Sequence, residues 1–291
     1  MLEALARAVL RPFDPALRWT GPAPSDASLS LKSLGTAGFT LEAAGRTVVI
    51  DPYVSRPTLW RALTRPLVPD PVAIESAIPR ADDVLVGHAH FDHVLDAPEL
   101  CRRTGARLIG SAAVGYCGQA AGLPAQQIVV THGHEDLEAG PLLLRGLPSI
   151  HGRVYFGRVP LPGDLHAPPP WPPRLRDLPH GQVLNWLVRT PTSSVAHIDS
   201  ADFLDAELSG HTADVLCLCA VGRHARPNYT RAAIELLRPR WVVPCHWDYF
   251  FGPLGGPLRE VPGADLAGFV EEIRAAGATP VVLAPGDTFS V

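Results

Sequence analysis

Three histidines and an aspartate stand within six residues, at His88, His90, Asp92 and His93. They directly follow the apolar run 84–87, which is typical of a short buried strand. Alternate residues of extended chain point the same way, so His88 and His90 can serve one metal ion. Asp92 and His93 come where the chain turns towards a predicted helix, and they therefore face a second direction. Nitrogen and oxygen donors this dense predict two adjacent metal ions rather than a polar surface loop.

Three further candidate ligands each follow a predicted strand: His151, Asp199 and His246. A single histidine or aspartate at a strand end is more often structural. Together with the cluster, however, these residues complete a donor set for two ions, because sites in α/β proteins form where strands leave the sheet. His132 and His134 are alternatives to His151, although they precede the strand that delivers it.

With these residues in this order, the sequence resembles the metallo-β-lactamase-fold superfamily over essentially its whole length. The motif is His-x-His-x-Asp-His at 88–93, followed by a histidine, an aspartate and a histidine. The chain is most similar to the subgroup of ascorbate-phosphate lactonase and the N-acylphosphatidylethanolamine-hydrolysing phospholipase, through segments 34–39, 49–52 and 243–248. Thr36 and Ile198 depart from that subgroup, which often has histidine and glycine at these places.

The resemblance implies an α/β fold, a four-layer αββα sandwich of two mixed sheets flanked by helices, formed as one domain over residues 1–291. It also implies two sets of metal ligands joined by a bridging aspartate. The first set is His88, His90 and His151, the second is Asp92, His93 and His246, and the bridge is Asp199.

Two divalent ions about 3.5–4 Å apart can share a hydroxide that acts as a nucleophile at neutral pH. Asp92 and Asp199 are the predicted catalytic carboxylates, because they balance the charge of the ions and orient the hydroxide. The donor types favour zinc, with manganese or iron as alternatives. The predicted reaction is hydrolysis of a small ester, lactone or phosphodiester. Two alternatives are a mononuclear iron oxygenase that uses His88, His151 and Asp199, and a non-catalytic metal-binding protein.

The loop 221–229 follows a predicted strand and is expected on the same rim as the ligands. Its guanidinium and imidazole groups match a phosphate or carboxylate, which would make the small-molecule substrate anionic. The predicted substrate-binding residues are Arg223, His224, Arg226 and Tyr229. The alternative is a solvated loop with ordinary surface charges. Trp171 and the aromatic residues of 247–251 are candidates for an apolar wall of the pocket. The alternative for the residues of 247–251 is that they pack beneath the final helix.

The composition narrows the class of protein. A chain of 291 residues with 46% hydrophobic and 19% charged residues is typical of a soluble globular protein. A net charge of -4 gives no electrostatic footprint for nucleic acid. Five scattered cysteines do not form a disulfide framework, which favours reduced thiols in the cytoplasm. No segment approaches the roughly 20 apolar residues that cross a membrane.

Apolar periodicity predicts the elements that position the ligands. Strands are predicted at 29–34, 39–43, 46–50, 84–87, 107–110, 127–131, 142–147, 182–189, 194–198, 214–220, 241–244 and 280–283. Helices are predicted at 72–77, 96–104, 111–122, 230–237 and 266–276.

Two segments stand apart from this pattern. Residues 157–182 are rich in proline and predict a lid at the mouth of the active site rather than a domain linker. Residues 1–10 carry an apolar helical stripe that predicts a helix packed on the body. A lid, a homo-oligomer contact and a membrane contact are the alternatives for this stripe.

Overall fold

The computed structural model describes residues 10–22 and 24–291. The helix predicted over residues 1–10 lies outside the described residues, except for Leu10, which is buried. The strands form two seven-stranded mixed sheets.

The first sheet has the order β14-β1-β2-β3-β4-β5-β6 and the second has the order β13-β12-β11-β10-β9-β8-β7. The strands of the first sheet are β1 (Leu29–Gly35), β2 (Gly38–Ala43), β3 (Arg46–Ile50), β4 (Asp83–Leu85), β5 (Arg107–Gly110), β6 (Ile128–Val130) and β14 (Thr288–Ser290). Those of the second are β7 (Asp136–Ala139), β8 (Leu142–Ser149), β9 (Val183–Arg189), β10 (Ser194–Ile198), β11 (Val215–Cys219), β12 (Trp241–Cys245) and β13 (Thr279–Pro280).

Both sheets are antiparallel on one side and parallel on the other. In the first sheet the pairs from β3 to β6 are parallel, and in the second the pairs from β10 to β13 are parallel. Parallel strands are covered on both faces, so they read as continuous apolar runs such as 215–219, all of whose residues are buried. Their carboxyl ends share one edge, where ligands of α/β proteins bind.

Helices flank the two sheets. They are α1 (Leu59–Thr64), α2 (Pro71–Ala77), α3 (Phe91–Val94), α4 (Ala97–Thr104), α5 (Ala112–Ala120), α6 (Asp205–Leu208), α7 (Tyr229–Leu237) and α8 (Leu266–Ala275). Helix α5 packs on β5 and β6, and α8 packs on β12 and β13. This arrangement confirms the predicted αββα fold of two mixed sheets flanked by helices. In the described part of the chain, every helix is too short or too polar to span a bilayer.

The strand predicted at 280–283 is only partly correct. The structure has the short β13 (Thr279–Pro280) there, parallel to β12, and the final strand is instead β14 at the edge of the first sheet. Residues Thr288, Phe289 and Ser290 pair there with β1 in antiparallel register. The partner strand lies more than 250 residues earlier in the chain, and local apolarity carries no information about that pairing.

The proline-rich segment 157–182 lies beside the carboxyl end of β4. The backbone N–H of Ala89 donates to His180 O at 2.9 Å, and that of Leu67 donates to Pro173 O at 2.6 Å. Trp171 and Leu175 pack against the core. These contacts fix the segment against the body of the protein at several points along its length.

The start of β4 is held by a buried carboxylate. Asp83 is fully buried and accepts from Arg46 Nη2 at 2.8 Å and from Arg107 Nε at 2.6 Å. Arg46 belongs to β3 and Arg107 to β5, so this one carboxylate links the strands on both sides of β4.

We predict that Asp83→Ala lowers the free energy of unfolding by about 1–3 kcal/mol, because two guanidinium groups lose their common partner. Urea denaturation monitored by circular dichroism measures the change. Asp136→Ala is the control, since its pair with Arg145 lies at the surface and is worth under about 1 kcal/mol. Equal losses in the two variants would contradict the linking role of Asp83.

Candidate metal centre

All seven predicted metal ligands stand together at the carboxyl ends of the strands. The first sheet supplies four of them after β4, and the second sheet supplies one each after β8, β10 and β12. They are His88, His90, Asp92, His93, His151, Asp199 and His246. Six are buried, and His151 is half-buried. Residues far apart in the sequence therefore converge because these strands of the two sheets end at the same side of the sandwich.

The donors fall into three overlapping groups, within each of which the donor atoms lie within 4.8 Å of one another. The groups are His88, His90 and His151; His88, His93 and Asp199; and Asp92, His93 and His246. The first and third groups are the two ligand sets that the sequence implied. The middle group joins them through Asp199.

Hydrogen bonds set the tautomers of the first group. His90 Nε2 lies 3.4 Å from Leu161 O and His151 Nδ1 lies 2.8 Å from Gly152 O. Each of these nitrogens donates to its carbonyl, which leaves His90 Nδ1 and His151 Nε2 as acceptors. His88 Nε2 lies 2.9 Å from His90 Nδ1, so lone pairs of the two rings face one space.

Asp51 orients the second group. In the sequence it stood out only as part of segment 49–52, one of the segments that carry the family resemblance. Its Oδ2 accepts from His93 Nδ1 at 2.8 Å, which turns His93 Nε2 towards Asp92 Oδ2 at 3.8 Å. His246 Nε2 approaches the same oxygen at 3.1 Å. A carboxylate on the outer nitrogen of a metal-binding histidine is the usual means of fixing its orientation.

The electrostatics of the cluster suit metal binding. Burial lowers the pKa of His90 to about 3 and that of His151 to about 4, so both rings keep a free lone pair at neutral pH. Burial also opposes a charge on His93, but Asp51 and Asp92 outweigh it and raise its pKa to about 9, so a bound ion would displace a proton from this ring and take over the attraction of the carboxylates. The pKa of Asp92 is lowered despite burial, because His93 and His246 stabilise its anion.

Asp199 fits the role of a shared ligand. Its Oδ2 lies 2.6 Å from His88 Nδ1 and 3.6 Å from His93 Nδ1. Within the described residues, its buried Oδ1 has no hydrogen-bond partner. A buried carboxylate oxygen without a partner is costly, and a cation beside it would remove that cost. The donor set and this oxygen together fit divalent metal ions.

Gly87 leaves the space that Asp199 occupies. A Cβ atom at this position would lie 2.0 Å from Asp199 Oδ2 and 3.2 Å from Leu184 O. Only glycine therefore allows the end of β4 to approach the aspartate that follows β10.

A buried ion pair supports His246. Arg56 Nη2 lies 2.7 Å from Asp248 Oδ2, and both side chains are almost fully buried. Asp248 Oδ1 accepts from the Thr36 N–H at 2.7 Å, and Thr36 O accepts from the His246 N–H at 2.6 Å. The pair thus fixes the turn at Thr36, which holds the backbone of the ligand. Neither Arg56 nor Asp248 was predicted to serve the site.

A cavity of about 330 Å³ opens onto the donors. It is lined by four of the ligand histidines, by Asp92 and Asp199, and by a largely apolar wall. Tyr249, Phe250 and Phe251 belong to that wall. For these three residues, the prediction that the aromatics of 247–251 line the pocket is confirmed. Trp247 does not line the cavity, because it stacks on Phe13 with ring centroids 4.9 Å apart.

The structure does not bring the predicted substrate-binding residues to this cavity. Arg223 is buried against α8, where it contacts Glu272 Oε1 at 3.1 Å and donates to Ala264 O. Arg226 binds Asp202 at 2.8 Å and Asp205 at 2.6 Å. These guanidinium groups are held by the protein's own acceptors.

The other two members of that set have different surroundings. Tyr229 is buried and donates to Ser200 O at 3.3 Å. His224 is exposed and lines a separate pocket together with Arg223 and Arg226. The loop 221–229 does reach the cavity through Val221, but its charged residues do not.

The remaining histidines are also placed. The ring of His180 lies against His90 and His151, with centroids 5.8 and 5.6 Å apart. His197 is buried and donates from Nε2 to Ala37 O at 2.8 Å, with Nδ1 4.0 Å from Asp51 Oδ2. His132 and His134 stand outside the three donor groups.

Comparison with known proteins agrees with this geometry. A family model described as a beta-lactamase superfamily domain matches residues 30–246. A UPF0173 metal-dependent hydrolase of Pyrobaculum calidifontis is 28% identical over 267 residues, covering 90% of this chain and 100% of the relative. Another, from Anaeromyxobacter dehalogenans (strain 2CP-1), is 30% identical over 266 residues, covering 87% of this chain and 83% of the relative.

Solved structures show the same fold. Igni18, a metallo hydrolase from the archaeon Ignicoccus hospitalis, has a TM-score of 0.60 at 22% identity, covering 90% of this chain and 98% of that chain. CmlA, a diiron beta-hydroxylase from Streptomyces venezuelae, has a TM-score of 0.59 at 17% identity, covering 92% of this chain and 55% of that chain. The fold alone therefore does not choose between hydrolysis and oxygen chemistry.

The matched family model covers most of the chain, which belongs to the beta-lactamase superfamily. Within that superfamily, it belongs to the UPF0173 metal-dependent hydrolases.

We predict that Gly87→Ala weakens metal binding by about tenfold to 100-fold, because the added methyl group displaces Asp199. Metal content after dialysis against graded chelator measures the effect. Gly146→Ala is the matched control, since its Cβ would meet its nearest neighbours at an ordinary 3.5 Å. Equal metal retention in the two variants would refute the close-approach argument.

We also predict that Asp248→Asn lowers metal affinity by about tenfold or more, because His246 loses its fixed backbone position. The absorption spectrum of the cobalt-loaded protein should change at the same time, which a purely global loss of stability would not cause. Asp205→Asn, at an exposed ion pair, should leave both affinity and spectrum unchanged. An unaltered cobalt spectrum in Asp248→Asn would show that the buried ion pair does not position the ligand.

Proposed function

We propose that this metal-dependent hydrolase binds two divalent ions and cleaves a small ester, lactone or phosphodiester. The observation that carries the proposal is the pair of three-residue donor groups joined by Asp199 at the base of one cavity. His88, His90 and His151 would hold one ion, and Asp92, His93 and His246 the other. Zinc is the metal that these donors favour, with manganese or iron as alternatives.

When bound, such ions supply Lewis acidity and a nucleophile from water at neutral pH. The chain's own residues do the positioning. Asp51 and the carbonyl oxygens of Leu161 and Gly152 fix the rings of the ligand histidines, so that the donor nitrogens converge without further rearrangement. Asp92 and Asp199 compensate the charge of the ions, and their oxygens are the nearest acceptors for a proton released in the cavity.

Segment 157–182 is proposed as the lid of this site. Pro160 and Leu161 line the cavity, and Leu161 O contacts the ligand His90. The segment is thus part of the wall that separates substrate from solvent. A single domain over 1–291 with this insertion accounts for the fold that the structure shows.

The predictions of subgroup, substrate, assembly and location are also proposals. Membership of the subgroup of ascorbate-phosphate lactonase and N-acylphosphatidylethanolamine phospholipase rests on short sequence motifs alone. A small-molecule substrate without nucleic acid and a cytoplasmic location rest on composition and on reduced thiols, and a homo-oligomer contact rests on the apolar stripe of residues 1–10. The five cysteines are buried and free, which supports the thiol part of that argument.

A mononuclear iron oxygenase is the second candidate function, and oxygen chemistry on the same fold in CmlA, a diiron beta-hydroxylase, motivates it. It would need His88, His151 and Asp199 and would leave the group of Asp92, His93 and His246 without a metal. The convergence of that second group favours a two-metal centre over a mononuclear one. Metal-dependent turnover separates the hydrolase from a non-catalytic metal-binding protein.

We predict about two zinc or manganese ions per chain after reconstitution, and metal-dependent hydrolysis within a panel of lactones, esters and an activated phosphodiester. His93→Ala should retain about one ion and lose at least about 100-fold in kcat/KM, because the second set is broken. His166→Ala, an exposed histidine of the same segment as the lid, is the control. Full turnover by His93→Ala would reject the proposal, and one iron per chain with oxygen consumption would favour the oxygenase.

A further inference from the structure

The cavity has an apolar wall built from aromatic side chains. Phe91, Phe250 and Phe251 pack on one another, with the rings of Phe250 and Phe251 4.8 Å apart and those of Phe91 and Phe251 5.9 Å apart. The ring of Phe250 also meets His246 edge-on at 5.2 Å. The aromatic wall therefore begins at the ligand shell itself.

Aliphatic residues complete the enclosure from other parts of the fold. Val154, Pro160 and Leu161 come from the loops after β8, while Val221 and Val261 come from the loops after β11 and β12. Cys219 is also part of the lining, and burial raises the pKa of its thiol well above the ordinary value, so it is uncharged. Away from the metal ligands, the space is bordered almost wholly by uncharged groups.

No lysine or arginine belongs to the described residues that line the cavity. Arg153 and Arg158 belong to a loop that borders the cavity, but both are exposed and neither lines it. Arg223 and Arg226 are held by carboxylates of the protein. Among the described residues that line the cavity, the charged side chains are those of the candidate metal ligands. Two bound metal ions could polarise the oxygen that is attacked, but this lining offers no lysine or arginine to a second phosphate or carboxylate of the substrate.

We propose that the site takes an uncharged ester or lactone whose acyl part is an apolar aliphatic or aromatic group. This inference rests on the proposed hydrolytic function and narrows its substrate class. Water adds its oxygen to the acyl carbon, the bond from that carbon to the alcohol oxygen breaks, and the alcohol leaves with a proton. Burying an acyl chain against the aromatic wall is favourable, whereas burying a second carboxylate there without a partner is costly.

The test uses ethyl pentanoate and monoethyl glutarate with the zinc-loaded protein. The two esters share the reacting group and a small leaving group, and they differ by a carboxylate at the far end of the acyl chain. We expect kcat/KM to be at least about tenfold higher for ethyl pentanoate. Along ethyl acetate, propanoate, butanoate and pentanoate, it should rise about threefold to fourfold per methylene group.

A cation placed in the wall should change this preference. Leu161→Arg is expected to reduce the ratio of the two kcat/KM values by about tenfold, because the new guanidinium can pair with the glutarate carboxylate. Leu143→Arg is the matched control, since Leu143 is partly exposed on β8 and does not line the cavity. Its ratio should equal that of the unaltered protein.

Binding separates this inference from the proposed function. N-phenylpentanamide and N-phenylglutaramic acid carry the same acyl pair, and calorimetric titration compares their affinities without requiring turnover of an ester. Tighter binding of the neutral amide supports the apolar site even if no ester is cleaved, in which case hydrolysis is the part that fails. Equal or better binding and turnover of the anionic members would overturn the inference while leaving the hydrolase intact.

Discussion

The backbone of Gly87 joins the two sheets at the site. The N–H of Gly87 donates to Asp51 Oδ1 at 2.7 Å, and its carbonyl oxygen accepts from the Leu184 N–H at 2.8 Å. Asp51 follows a strand of the first sheet and Leu184 belongs to the second. The missing side chain then admits Asp199 to the same place. The ligand cluster that follows Gly87 is consequently fixed with respect to both sheets at once, and every other feature of the site depends on that joint.

Backbone strain is concentrated around this joint. Thr36, Asp51, Arg56 and His246 all have positive φ angles, of 54°, 46°, 35° and 54°. Each such residue costs of the order of 1–3 kcal/mol unless its surroundings compensate. Here Asp51 binds His93, and the buried pair of Arg56 and Asp248 holds Thr36 and through it His246. The strain lets side chains turn into the site directly after a strand ends, and the buried polar contacts maintain it.

The amino-acid sequence was sufficient for the parts that depend on local pattern. Continuous apolar runs located most strands, and the dense donor motif located the centre, because both signals lie within a few residues. The sequence analysis did not assign Asp51, Arg56 or Asp248 to the site. Their roles depend on contacts with residues 36 to 212 positions away in the chain. The charged side chains of loop 221–229 were wrongly placed at the cavity for the same reason, whereas Val221 of that loop does line it. The sequence alone does not show whether an arginine is free to bind substrate. In the structure, Arg223 is already paired with acidic residues such as Glu272.

Segment 157–182, the proposed lid, contacts the candidate metal centre twice. His180 O accepts from the N–H of Ala89, which lies between two predicted ligands, and Leu161 O accepts from His90 Nε2. One stretch of chain thus borders the cavity and also holds the loop of the predicted ligands. A change in this stretch therefore acts on the cavity and on the donors together, and a chimera that exchanges it must carry over both carbonyl contacts to keep the centre intact.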